Sequence, residues 1–141
     1  MSIVDRLRSL LQPPAEPAAS HFIYILLPED LDPLDRCAHY ADALDAELKL
    51  AGIGWVSGGG SMLGPEQPDG TSEVEFSGID IEVAKTGPAR ELLQLHLAAL
   101  GCPAGTEIHY TEGSLRLQDE YDGQGWRLAR PRGRLHPGFG L

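Results

Sequence analysis

The chain has 141 residues, 42% of them hydrophobic and 23% charged, with a formal net charge of −10. That length suits one domain with a buried core. The acidic balance argues against non-specific attraction to nucleic acid or anionic membranes and for either a well-solvated surface or a basic partner. Cys37 and Cys102 lack the paired spacing of a zinc site or a disulfide framework, so reduced thiols in the cytoplasm are expected. No apolar run approaches the ~20 residues of a membrane span. The opening apolar stretch, interrupted by Asp5, Arg6 and Arg8, does not read as a secretory signal.

Ile3, Val4, Leu7, Leu10 and Leu11 recur at helical spacing, and Pro13, Pro14 and Pro17 end that pattern. Residues 1–20 are therefore expected to form an amphipathic helix and a Pro/Ala linker. Residues 21–130 are expected to form a single α+β domain, and residues 131–141 a flexible basic tail. "HFIYILL" reads as a strand apolar on both faces, with Phe22, Tyr24 and Leu26 on one and Ile23, Ile25 and Leu27 on the other. In a two-layer fold the second row needs a cover of its own, whether from the terminal segments, a second copy or a partner. Asp32, Pro33 and Asp35 then signal a helix start, with one apolar face running to Leu48 and an end near Gly52.

"GWVSGGGSML" poses the question of what three glycines do. No lysine lies between Lys49 and Lys85, and Leu63 stands where a dinucleotide fingerprint starting at Gly58 needs glycine, so the stretch fits neither phosphate-binding pattern. An edge strand with a side-chain-free patch at Gly58, Gly59 and Gly60 remains, either as a bulge or close approach that accommodates Trp55, or as bare backbone offered to a partner with Trp55 as an anchor. "SEVEFSGIDIEVA" alternates with a phase slip, and a β-bulge at Ser77–Gly78 would bring Phe76, Ile79, Ile81 and Val83 to one face. The other face would then carry Glu73, Glu75, Asp80 and Glu82.

Pro88 to Gly101 reads as a second helix, "TEIHYT" as a fourth strand, and "SLRLQ" and "WRLA" as a further hairpin. The order β-α-β-β-α-β predicts a ferredoxin-like antiparallel sheet. Both helices would lie on one face, the second and fourth strands at the edges, and a C-terminal hairpin would be appended.

Residues 29–82 hold thirteen carboxylates against Arg36 and Lys49. A solvated strand face accounts for such a run, but carboxylates are depleted in strands and like charges there cost stability, so the acidic strand also suits a cationic partner, with Asp42 and Asp45 on the first helix adding to the field. No D-x-D-x-D-G loop is present, so no metal is expected, and no other cofactor. His109 with Glu107, beside the Ser57–Ser61 segment, is the alternative: a small-molecule pocket or minor active site on the open sheet face. A Cys102–His109 pair is a weaker candidate for nucleophilic chemistry.

"YADALDAELKLAGIGWVSGGGSML", "SGIDIEV" and "LGCPAGTEIHY" together resemble a group of small bacterial proteins of largely unassigned function. The resemblance covers His21 to Tyr110 and implies no catalytic motif. In size, charge and lack of catalytic chemistry the chain also resembles immunity proteins encoded beside secreted bacterial toxins. That likeness implies a non-enzymatic inhibitor that neutralises a basic toxin domain by direct contact. A homodimer formed through the sheet is a further expectation.

Overall fold

The computed structural model describes residues 20–63, 66–72 and 74–139, without the side chains of Met62, Leu63, Val74 and Glu75. The helix expected over residues 3–11 and its proline linker lie outside the described residues. The elements are β1 (His21–Leu27), α1 (Pro33–Arg36), a π-helical segment (Cys37–Ala41), α2 (Asp42–Leu50), β2 (Gly54–Leu63), β3 (Val74–Val83), α3 (Thr86–Ala99), β4 (Glu107–Glu112), β5 (Leu115–Tyr121) and β6 (Trp126–Pro131). No helix among the described residues is long and apolar enough to cross a membrane.

α1, the π segment and α2 run on from one another without a break in the helix. The Asp32 side chain caps its start by accepting from the Asp35 N–H at 2.9 Å, and Pro33 occupies the first turn. Leu44 and Leu48 of α2, and Ala89, Leu93 and Leu97 of α3, are fully buried. They pack against Ile23, Ile25 and Leu27 of β1, Ile79, Ile81 and Val83 of β3, and Ile108 and Tyr110 of β4. Both helices thus cover the same sheet face.

The sheet has six antiparallel strands in the order β2-β3-β1-β4-β5-β6. This corrects the ferredoxin-like expectation. β5 and β6 are not a hairpin outside a four-stranded sheet; they continue it, so β4 is interior and the edges are β2 and β6. The physical reason is the tight β4–β5 turn at Gly113 (φ +59), which sets Glu112 opposite Leu115 and makes β5 pair with β4 along its whole length.

The expected bulge at Ser77–Gly78 is also corrected. The β1–β3 register runs unbroken from Leu27↔Ser77 to His21↔Val83. Phe76 therefore lies on the face opposite Ile79, Ile81 and Val83, in a second cluster with Tyr24 and Leu26. The phase slip marks a strand buried on both sides. The shifts of register fall in β2 instead, between Val56 and Gly58 and between Met62 and Leu63.

β5 and β6 are anchored through Asp119, whose side chain is fully buried on the helix-covered side. Its Oδ2 accepts from Arg90 Nε at 2.8 Å and Gln94 Nε2 at 2.9 Å. Its Oδ1 accepts from Arg90 Nη2 at 2.7 Å, the Ala129 N–H at 2.9 Å and Tyr110 Oη at 3.2 Å. Removing one partner of such a pair leaves an uncompensated buried charge. Arg90→Met is expected to lower stability by about 3–5 kcal/mol, read from urea unfolding monitored by circular dichroism. A loss below about 1 kcal/mol would mean that the pair is solvated and carries no structural weight.

Candidate functional site

β2 is, among the described residues, an edge strand of ten residues, "GWVSGGGSML", with no charge and no proline to blunt it, its only such devices being two shifts of register. One point on it is closed from the helix side. Asp45 Oδ1 of α2 accepts the Val56 N–H at 2.8 Å, and its Oδ2 lies 2.9 Å from Lys49 Nζ. Beyond Val56 the strand bulges at Ser57 and continues as the exposed residues Ser57 to Ser61.

The three glycines have separate physical reasons. A Cβ at Gly59 would sit 2.7 Å from the Gly78 carbonyl oxygen and 3.1 Å from Arg36 Nε, so glycine there lets the Arg36 guanidinium cross the strand on the helix side. A Cβ at Gly58 would meet Asp80 Oδ2 at 3.2 Å on the other side, and one at Gly60 would meet nothing within 4 Å. Gly78, across from Gly60 in the register, is bare because the Tyr24 ring lies over it.

The expected partner-binding residues fall into three groups. Trp55, Gly58, Asp80 and Glu82 are cross-strand neighbours, with Trp55 opposite Glu82 and Gly58 opposite Asp80. Asp42 is exposed on α2, on the opposite side of the sheet, and Asp45 below it is engaged with Val56. Glu73 and the side chain of Glu75 lie outside the described residues. The acidic row across one strand face is therefore corrected. Without a bulge, Asp80 and Glu82 share their face with Phe76 and Gly78, and carboxylates flank the β2 edge from both sides of the sheet.

The other candidates are placed as follows. His109 is 1% exposed, its Nε2 2.8 Å from Glu107 Oε1, and its ring tilts against Tyr24 at 5.7 Å between centroids. Cys102 is buried in the helix-side core, where burial pushes its thiol up, while His109 faces the other side of the sheet. Among the described residues no group of three or more His, Cys, Asp or Glu is placed to hold a metal ion.

The sequence gives little warning of what covers the open face. After β6 the segment from Arg132 to Phe139 runs back across it. Arg132 Nη2 donates to the Tyr110 carbonyl at 3.4 Å and to Thr111 Oγ1 at 3.1 Å, and its guanidinium lies 4.0 Å from the Phe139 ring centroid. His136 sits between the Phe22 and Tyr24 rings, 5.0 and 4.5 Å away, with its Nε2 3.6 Å from Asp80. Burial, and then the Asp80 charge, push the Tyr24 hydroxyl up to about 12, so it stands as a neutral donor. The signal for this cover was the second apolar row of β1, together with the arginines and Phe139 in the tail.

No protein-family model matches this chain, and neither does any curated protein or solved structure.

The glycine assignment has a direct check. Gly59→Val forces side-chain atoms against a strand carbonyl and is expected to cost about 1–3 kcal/mol. Gly60→Ala, into open space, should stay within about 0.5 kcal/mol of the parent in the same urea unfolding measurement. Equal effects at the two positions would contradict it.

Proposed function

We propose that the chain is a non-enzymatic, acidic protein-binding module that docks a basic partner along the β2 edge. In this reading it is an immunity-type inhibitor that neutralises a basic toxin domain by direct contact. The observation that carries the reading is an uncharged, glycine-bearing edge, flanked by Asp42 on the helix side and by Asp80 and Glu82 on the other. An added strand gains main-chain hydrogen bonds from such an edge, and the carboxylates steer a cationic surface toward it. Half-buried Trp55, at the start of the strand, serves as an anchor. Cys37 and Cys102 are unpaired, in keeping with a cytoplasmic protein. The reading requires no cofactor, nucleic acid or membrane.

Asp45 takes a different part from the one its charge suggests. It holds Val56 and so sets where the free edge begins.

The test begins with the neighbouring reading frame: if it encodes a large secreted protein with a variable carboxy-terminal domain, the association rate with that domain is measured at low and moderate salt, and a frame of another kind would remove the inhibitor reading. Asp42→Lys, Asp80→Lys and Glu82→Lys together are expected to slow association at least about tenfold and to flatten its salt dependence. Unchanged rates and salt slope in the triple variant would remove the acidic-edge reading. Self-pairing of the edge would show instead as dimeric sedimentation of the purified chain.

A further inference from the structure

The sheet face opposite the helices is covered in a way that differs from the core. On the helix side, Ile23, Ile25, Leu27, Ile79 and Ile81 are fully excluded from solvent. On the open side, the covering segment from Gly133 to Phe139 makes no backbone hydrogen bond to the sheet among the described residues. Its backbone bonds are internal: the Phe139 N–H to the His136 carbonyl at 3.1 Å and the Gly138 N–H to His136 Nδ1 at 2.9 Å. The last backbone tie to a strand is the Arg132 N–H to the Arg116 carbonyl at 3.1 Å.

The segment is seated by side chains alone. Arg134 lies 4.8 Å from the Phe76 ring centroid, His136 rests on Tyr24 and Phe22 beside Asp80, and Phe139 meets Phe22 edge-on at 4.8 Å. Open clefts flank the seats. A hollow of about 220 Å³ remains between His136, Tyr24, Phe76 and His109, and one of about 140 Å³ between His136, Asp80 and Gly59–Gly60. A third, of about 790 Å³, opens beyond Phe139 toward Glu82 and Glu112.

Charge runs the same way. The segment carries Arg132, Arg134 and His136 with no carboxylate, and the face beneath it offers Asp80, with Glu82 and Glu112 at its end.

We infer that this face is a groove for a basic and aromatic peptide of the form Arg-x-His-Pro-x-Phe ending in a turn, and that residues 134–139 occupy it in cis, with Arg132 as the fixed end from which they lift. A partner polypeptide presenting guanidinium, imidazole and phenyl groups at that spacing takes the same seats when the segment lifts. Phe76 is the platform for the guanidinium, and Tyr24, Phe22 and Asp80 hold the imidazole. The groove adjoins the β2 edge and shares Asp80 and Glu82 with it, but its seats at Phe22, Tyr24 and Phe76 lie off that edge, so peptide binding in trans is read apart from edge docking.

The test is binding in trans. The probe is the peptide RGRLHPGF with an amino-terminal fluorophore, titrated by fluorescence polarisation against the full chain and against the full chain carrying His136→Ala and Phe139→Ala. The cis segment competes at high effective concentration in the parent, so the variant is expected to bind at least about tenfold more tightly. Adding Asp80→Lys to the variant should reverse that gain, and a peptide with alanine in place of histidine and phenylalanine should not bind. A folded variant with no saturable binding would overturn the inference. So would a variant that loses cooperative urea unfolding, because the segment would then be part of the core, and so would binding indifferent to Asp80→Lys.

Discussion

A carboxylate with no exposure to water, Asp119, ties the carboxy-terminal half of the molecule to the rest. Burying a single charge is costly, and the cost is offset here because both oxygens are saturated by charged and neutral donors from α3, β4 and β6. The partners feel the same site. Burial works against the Arg90 charge, but the hydrogen bond and charge of Asp119 hold its pKa above the usual arginine value. Burial first, and Asp119 second, push Tyr110 up to about 12.

The influence of Asp119 reaches the opposite face of the sheet. Its bond to the Ala129 N–H holds that residue at φ +54, the one non-glycine residue with positive φ among those described. The β5–β6 pairing shifts register at the same place, between Gln118 and Glu120. β6 is thereby re-aimed, and the chain leaving Pro131 is delivered to Arg116, Tyr110 and Thr111 through Arg132. A buried anion under α3 thus decides where the basic segment lands. Among the described residues the other end of the sheet is left with an unpaired edge at β2, whose own start is set by a second carboxylate, Asp45. Acidic residues in this chain therefore do two different jobs: Asp119 and Asp45 are consumed by the fold, while Asp42 and Glu82 remain available at the surface.

Much of this was legible in the residues. The Asp32–Pro33 start, the buried rows of β1 and the edge position of the glycine strand arise from local chemistry that tertiary contacts did not override. The phase slip at Gly78 was ambiguous, because period-two alternation cannot distinguish a bulge from a strand with two buried faces. β1 already displayed a second apolar row, and two adjacent strands with that property would have favoured the second explanation. Asp119 was invisible, since "LRLQDEY" reads as a solvated strand until Arg90 arrives from 29 residues away. The landing place of the tail was equally hidden, because it depends on the Ala129 backbone geometry that Asp119 imposes.

The central claim is that the exposed part of β2 is where another polypeptide adds its backbone. Amide hydrogen exchange, measured residue by residue in the free chain and with a bound basic polypeptide partner, addresses it most directly. The account predicts new protection concentrated at Ser57 to Ser61, with α3 and β5 unchanged. Protection that appears elsewhere while those five amides exchange as before would contradict it.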